Sequence, residues 1–181
     1  WRSSALATTE LIAEDLNDRI YKQIEFVISV PEHINSSIHV IFEKGILDVA
    51  DEELRDKFFA SVLKTHEQIY SLSYGTADGD YFGARRNEND DIEIKKSNND
   101  TNGQLWFLST KEDFTADKIV GNVGSNDPRK QVWYSAAEKA GRPIFSPVYK
   151  HFSISDLAIC NSWPIYNEEG RLQGVLGARI L

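Results

Sequence analysis

The sequence predicts an α+β domain: an antiparallel β-sheet with helices outside it and a long helix in front. Two observations carry this. Over the first 44 residues apolar side chains recur every three or four positions, the period of one helical stripe. From residue 68 onward the texture changes to short alternating runs separated by turn residues, the pattern of half-buried strands.

The stripe reads Leu16, Ile20, Ile24, Val27, Ile34, Ile38 and Ile41. Pro31 interrupts it, and a proline lacks the N–H that a helix interior needs. One kinked helix or two consecutive helices are therefore expected, ending near Gly45. Residues 1–45 are read as this long helix and 46–181 as the sheet-bearing domain. Asp48 or Asp51 caps a second helix, with Leu54, Phe58, Val62 and Leu63 on one face. Ile69 to Tyr74 and Tyr81 to Arg85 flank the Asp78-Gly79 turn signal. Ile92 to Lys95 and Leu105 to Leu108 follow, with a polar loop from Ser97 to Gly103 between them. Residues 113 to 127 look irregular. Pro128 opens a helix over Arg129 to Ala140, closed by Gly141. Runs at Ile144 to Lys150, Asp156 to Tyr166 and Leu172 to Leu181 finish the chain, the last two joined at Asn167-Glu168-Glu169-Gly170. A five- or six-stranded sheet is expected.

The 181 residues suit one domain, or one domain with an appended helix. A net charge of −8 argues against a nucleic-acid partner, since phosphate binding needs clustered Lys and Arg. The basic pairs Arg85-Arg86 and Lys95-Lys96 read as solvated strand ends. No apolar run reaches the roughly 18 residues that span a bilayer, and no signal peptide is present. The sequence contains no Met, so an excised portion of a longer protein is expected. Cys160 is the single cysteine, set in an apolar run, and reads as a buried structural thiol.

No phosphate-binding glycine loop, HExxH pair or GxSxG elbow is present. His33, His39, His66 and His151 are scattered, with no zinc-ligand spacing. No nucleophile–base constellation appears. The sequence is therefore read as not an enzyme, with no cofactor and no metal.

The final third carries a more specific pattern. It runs Asp127-Pro128-Arg129, Trp133-Tyr134-Ser135-Ala136-Ala137, Gly141-Arg142-Pro143-Ile144-Phe145-Ser146-Pro147-Val148-Tyr149, then Pro164-Ile165-Tyr166 and Gly170 to Ala178. This resembles the Cache family of receptor domains, in its double-Cache, membrane-distal form. Tyr70 to Arg86 resembles the family's first two strands, and Val30 to Asn35 the break in its long helix. The resemblance implies a PAS-like sheet holding a small-molecule pocket on the extracytoplasmic side of a cell membrane. It also implies membrane tethering in the full-length protein and a histidine kinase, chemotaxis transducer or cyclase downstream.

Trp133, Tyr134 and Tyr149 offer flat apolar walls edged by an N–H and hydroxyls, suited to a small polar ligand. Core packing is the other reading of these residues. In the amino-acid-binding branch of the family an Arg stands where this chain has Gln131. That branch has Asp where this chain has Ala136 and Arg179. Arg179 cannot hold an amine, because like charges repel. It suits a carboxylate if it points into the pocket, and otherwise it faces solvent at a strand end. The expected site is Gln131, Trp133, Tyr134, Tyr149 and Arg179, with Asp156 at its rim. A homodimer through the N-terminal helix is a further expectation. The alternative function is a ligand-free interaction or dimerisation module.

Overall fold

The computed structural model describes residues 2–149 and 157–181, without the side chains of Arg2, Val148, Tyr149 and Leu157. Helix α1 spans Arg2–Glu43 as a single helix with Pro31 inside it, so the two-helix alternative does not form. Two compact units are present, Trp1–Val30 and Pro31–Leu181. In the first, Leu16, Ile20 and Ile24 are each about half exposed (52%, 50% and 52%).

The second unit holds the sheet. Helix α2 (Glu52–Thr65) starts at Asp51, whose carboxylate accepts from the Leu54 N–H. The strands are β1 (Ser71–Thr76), β2 (Tyr81–Arg86), β3 (Ile92–Ser97), β4 (Gln104–Thr110) and β5 (Ala116–Ser125). After a short 3-10 turn at Pro128–Lys130 comes helix α3 (Val132–Ala140), then β6 (Ile144–Tyr149), β7 (Leu157–Tyr166) and β8 (Leu172–Ile180). They form one eight-stranded sheet in the order β5-β4-β3-β2-β1-β8-β7-β6, with every pairing antiparallel. The α+β, PAS-like class is as expected. The sheet has eight strands and not five or six, because all seven strand-like runs pair into it and residues 113 to 127 add β5 instead of irregular chain.

Both faces of the sheet are covered. On one face the end of α1 packs through Phe42 on Tyr74 (ring centroids 4.9 Å apart) and His39 on Trp163 (4.6 Å). Asn35 donates to the Asn161 carbonyl at 2.9 Å. On the same face the Arg55 guanidinium of α2 lies 3.7 Å from the Phe82 ring centroid. The other face carries α3.

This double cover corrects the reading of the basic pairs as solvated strand ends. Successive strand residues point to opposite faces, so each pair divides between two covered layers. Lys95 is 3% exposed. Lys96 pairs with Glu52 of α2. Arg85 pairs with Glu93 at 2.9 Å, and Arg86 donates to the carbonyls of Leu63 and Ile69.

Candidate ligand-binding site

The α3 face of the sheet is paved with small residues at its centre. One cross-strand row reads Lys95, Gly83, Ser73, Gly177, Ser162 from β3 to β7. The next reads Glu93, Arg85, Ser71, Arg179, Cys160, Ser146. The glycines let α3 approach. A Cβ on Gly177 would stand 3.2 Å from Trp133 Cε3, and one on Gly75 would stand 2.7 Å from Pro128 Cβ. The Lys95 side chain crosses β2 to reach the serines of β1.

There the Lys95 ammonium donates to Ser71 Oγ (2.6 Å), Ser73 Oγ (2.5 Å) and Tyr81 Oη (2.9 Å). Ser73 Oγ and Tyr81 Oη are themselves hydrogen-bonded at 2.7 Å. Tyr81 packs on Trp133, with ring centroids 6.2 Å apart. The Arg179 guanidinium lies 5.8 Å from the Trp133 ring centroid, and its Nε is buried without a hydrogen-bond partner among the described residues. Val175, Ala137 and Tyr134 complete the apolar wall, with Leu105, Ile144 and Leu172 against it.

Two cations thus share one enclosed region. Burial lowers the Lys95 ammonium to about 8, with Arg179 pushing the same way and Tyr81 opposing. Burial alone would raise the Tyr81 hydroxyl, but the Lys95 and Arg179 charges outweigh it and leave it at about 8. Burial opposes the charge of Arg179, and Tyr81, Cys160 and Tyr70 more than offset this, holding it above its ordinary value. At neutral pH both groups are charged. Among the described residues no carboxylate pairs with either: Glu93 faces the same layer, but Arg85 and Asn87 engage it.

The sequence-derived residues divide. Trp133 and Tyr134 are both buried, at 2% and 1% exposure, although adjacent helical residues diverge by about 100°. Trp133 meets β7 and β8, whereas Tyr134 turns toward Gly75 and Pro128. Gln131 is exposed, with extended backbone, at the N-cap of α3. Arg179 is partly buried, with its guanidinium beside Trp133 of α3 and its Nε enclosed. Tyr149 pairs with Leu157 in the ladder; its side chain and the whole of Asp156 lie outside what the structure describes. Cys160 is fully buried, as its apolar setting predicts.

Lys95 was missed, and Tyr81, Ser71 and Ser73 with it. A signal was present: serines two apart on one strand, a Tyr opening the next and a Lys on the third lie on a single face.

Two open clefts lie elsewhere, one of about 480 Å³ beside Lys64, Asp91 and Phe114 and one of about 380 Å³ beside Gln68, Tyr70 and Arg86. Neither is lined by Trp133 or Lys95.

No family model matches the sequence, and no match is found among curated proteins. Solved structures do match. The ligand-binding domain of the Pseudomonas aeruginosa PAO1 amino-acid chemoreceptor PctC, in complex with GABA, aligns with a TM-score of 0.50 at 18% identity, over 87% of this chain and 58% of that one. The ligand-binding domain of the Campylobacter jejuni chemoreceptor Tlp3, in complex with L-valine, aligns with a TM-score of 0.47 at 17% identity, over 88% and 56%. The PctC alignment shows a shared fold. This chain spans just over half the length of these solved domains.

Proposed function

We propose that this chain is the extracytoplasmic ligand-sensing domain of a transmembrane signalling receptor, of the Cache type, binding a small molecule between α3 and the sheet. A histidine kinase, chemotaxis transducer or cyclase is its output. The observation that carries the reading is the α3 face itself. Its floor is of small residues, its walls are aromatic, and its buried polar groups converge on one place, which is how small-molecule sites are built. The fold shared with the PctC domain supports it. The domain is a sensor and not an enzyme.

Binding must favour one arrangement of sheet and helix over another, or no signal is produced. Helix α1 is the element that carries the change toward the membrane. Its exposed stripe supports pairing with a second copy in the full-length receptor.

A melting screen tests the reading. A ligand at about 100 times its dissociation constant adds roughly 2.7 kcal/mol of stability. Tyr149→Phe removes one hydroxyl and keeps the ring. It is expected to weaken binding by about 1.5–3 kcal/mol if that hydroxyl meets a charged ligand, while leaving the unliganded melt unchanged. A broad metabolite panel that never shifts the midpoint would favour the interaction-module reading, in which the region under α3 is filled by the protein's own side chains.

A further inference from the structure

We propose that Lys95 and Arg179 form a two-cation seat for an anion, and that the ligand is a small organic carboxylate without an ammonium group. This rests on the sensor reading above and adds the chemistry of the ligand.

Three observations lead there. First, Lys95 is almost completely buried, and among the described residues three hydroxyls are its hydrogen-bond partners. Hydroxyls solvate an ammonium without neutralising it, and a buried charge is expensive unless paired. Second, Arg179 enters the same region from β8, engaged by Cys160 and Tyr70 but with a buried Nε–H that has no acceptor among the described residues. A guanidinium facing an apolar wall with a free donor is arranged for a charged oxygen acceptor. Third, the acid on this face nearest to Lys95 in the strand, Glu93, is held by Arg85 at 2.9 Å and by Asn87 at 3.0 Å. Among the described residues the two cations therefore have no anion of their own.

The surroundings narrow the class. Trp133, Val175 and the partly buried Leu105, Ile144 and Leu172 pack together beside the two cations, which favours an anion with a short apolar body. An inorganic ion would leave that wall unused. An α-amino acid would bring its ammonium within the field of both cations, where like charges repel. Binding exchanges one hydroxyl on the Lys95 ammonium for a carboxylate oxygen. The second oxygen takes the Arg179 Nε–H.

The test is a calorimetric and melting titration of this domain at pH 7 with acetate, pyruvate, butyrate and succinate. L-alanine, GABA and propylamine form the contrasting set. At least one carboxylate is expected to bind and raise the melting midpoint, and propylamine to do neither. Lys95→Met is expected to weaken that carboxylate by about 10-fold or more, the size of a lost charge-assisted hydrogen bond. If Lys95→Met does not fold, Lys95→Arg and Arg179→Gln serve: the first is expected to retain binding and the second to lose it by the same factor. Lysine ammonium NMR adds a separate readout, since the bound carboxylate should move the Lys95 signal and raise its titration midpoint. Binding of L-alanine or propylamine in preference to every carboxylate would overturn the two-cation seat and leave the sensor reading standing. Carboxylate binding unaltered in Lys95→Met and Arg179→Gln would overturn it as well. A panel in which nothing binds counts against both.

Discussion

Lys95 sets the pH range over which the site under α3 holds positive charge. The groups facing it are Tyr81, Ser71 and Ser73, with Arg179 and Arg85 acting through space. Lys95 and Tyr81 both titrate at about 8. As pH rises through that value Lys95 loses its charge and Tyr81 gains a negative one, and both changes repel an anion. Carboxylate affinity is therefore expected to fall between pH 7 and pH 9, with proton uptake on binding near pH 8, measured by calorimetry in buffers of different ionisation enthalpy. On the opposite face, burial raises Asp56 from 3.8 to about 6 against the pull of Arg55. A carboxyl with a raised folded pKa favours folding below its unfolded value, and that contribution is lost as pH climbs through the folded one. Urea unfolding between pH 4 and 6.5 should show a loss of stability with rising pH that Asp56→Asn lacks. At this scale the sequence was partly legible. Arg179 stood out because a charged residue ends an otherwise apolar strand. Lys95 did not, because a Lys-Lys pair looks like a solvated edge until both faces of the sheet are known to be covered.

Between elements, the α3–sheet contact depends on hydrogen atoms at two glycines. Gly177→Ala would set a methyl 3.2 Å from Trp133 Cε3 and 3.3 Å from Cys160 Sγ. Overpacking of this kind typically costs about 1–3 kcal/mol. Equilibrium unfolding is expected to show that loss, together with weakened ligand binding as α3 shifts. Asp51→Ala removes the α2 cap and should cost about 1 kcal/mol without touching the ligand. The sequence marked most elements because alternation and turn chemistry agreed. Asp51 opens α2 and the left-handed Gly141 closes α3, as read. Strand β5 escaped because Ala116 to Ser125 has no two-residue alternation and contains Gly121 and Gly124. It is an edge strand, largely exposed, paired to β4 with register shifts. Its partner fixes it more than its own residues do.

For the whole molecule, the unit Pro31–Leu181 contains the sheet and both of its covering layers. Deleting residues 1–30 places Pro31 at the first turn of what remains of α1, where its missing N–H costs little. The truncated domain is expected to melt within about 4 °C of the full chain, roughly 1 kcal/mol at this size. Ile20→Glu tests the pairing of α1 in the full-length receptor: sedimentation should show dimer lost with the domain's own melt unchanged. The strand order has a different consequence, one for folding. β1 to β5 form one run of neighbouring strands and β6 to β8 another, and the two runs meet only where β1 lies beside β8. Pairings within each run close short loops. The join between runs brings together distant parts of the chain and is the slow, entropically costly step. Lys95, Ser71, Ser73 and Tyr81 stand on one side of that join, and Arg179 on the other with Trp133 of α3. Neither half presents the two cations alone. An anion held by both is a non-covalent staple across the last join to form, so it should slow the opening of that join most, and amide exchange along β1 and β8 would register its grip.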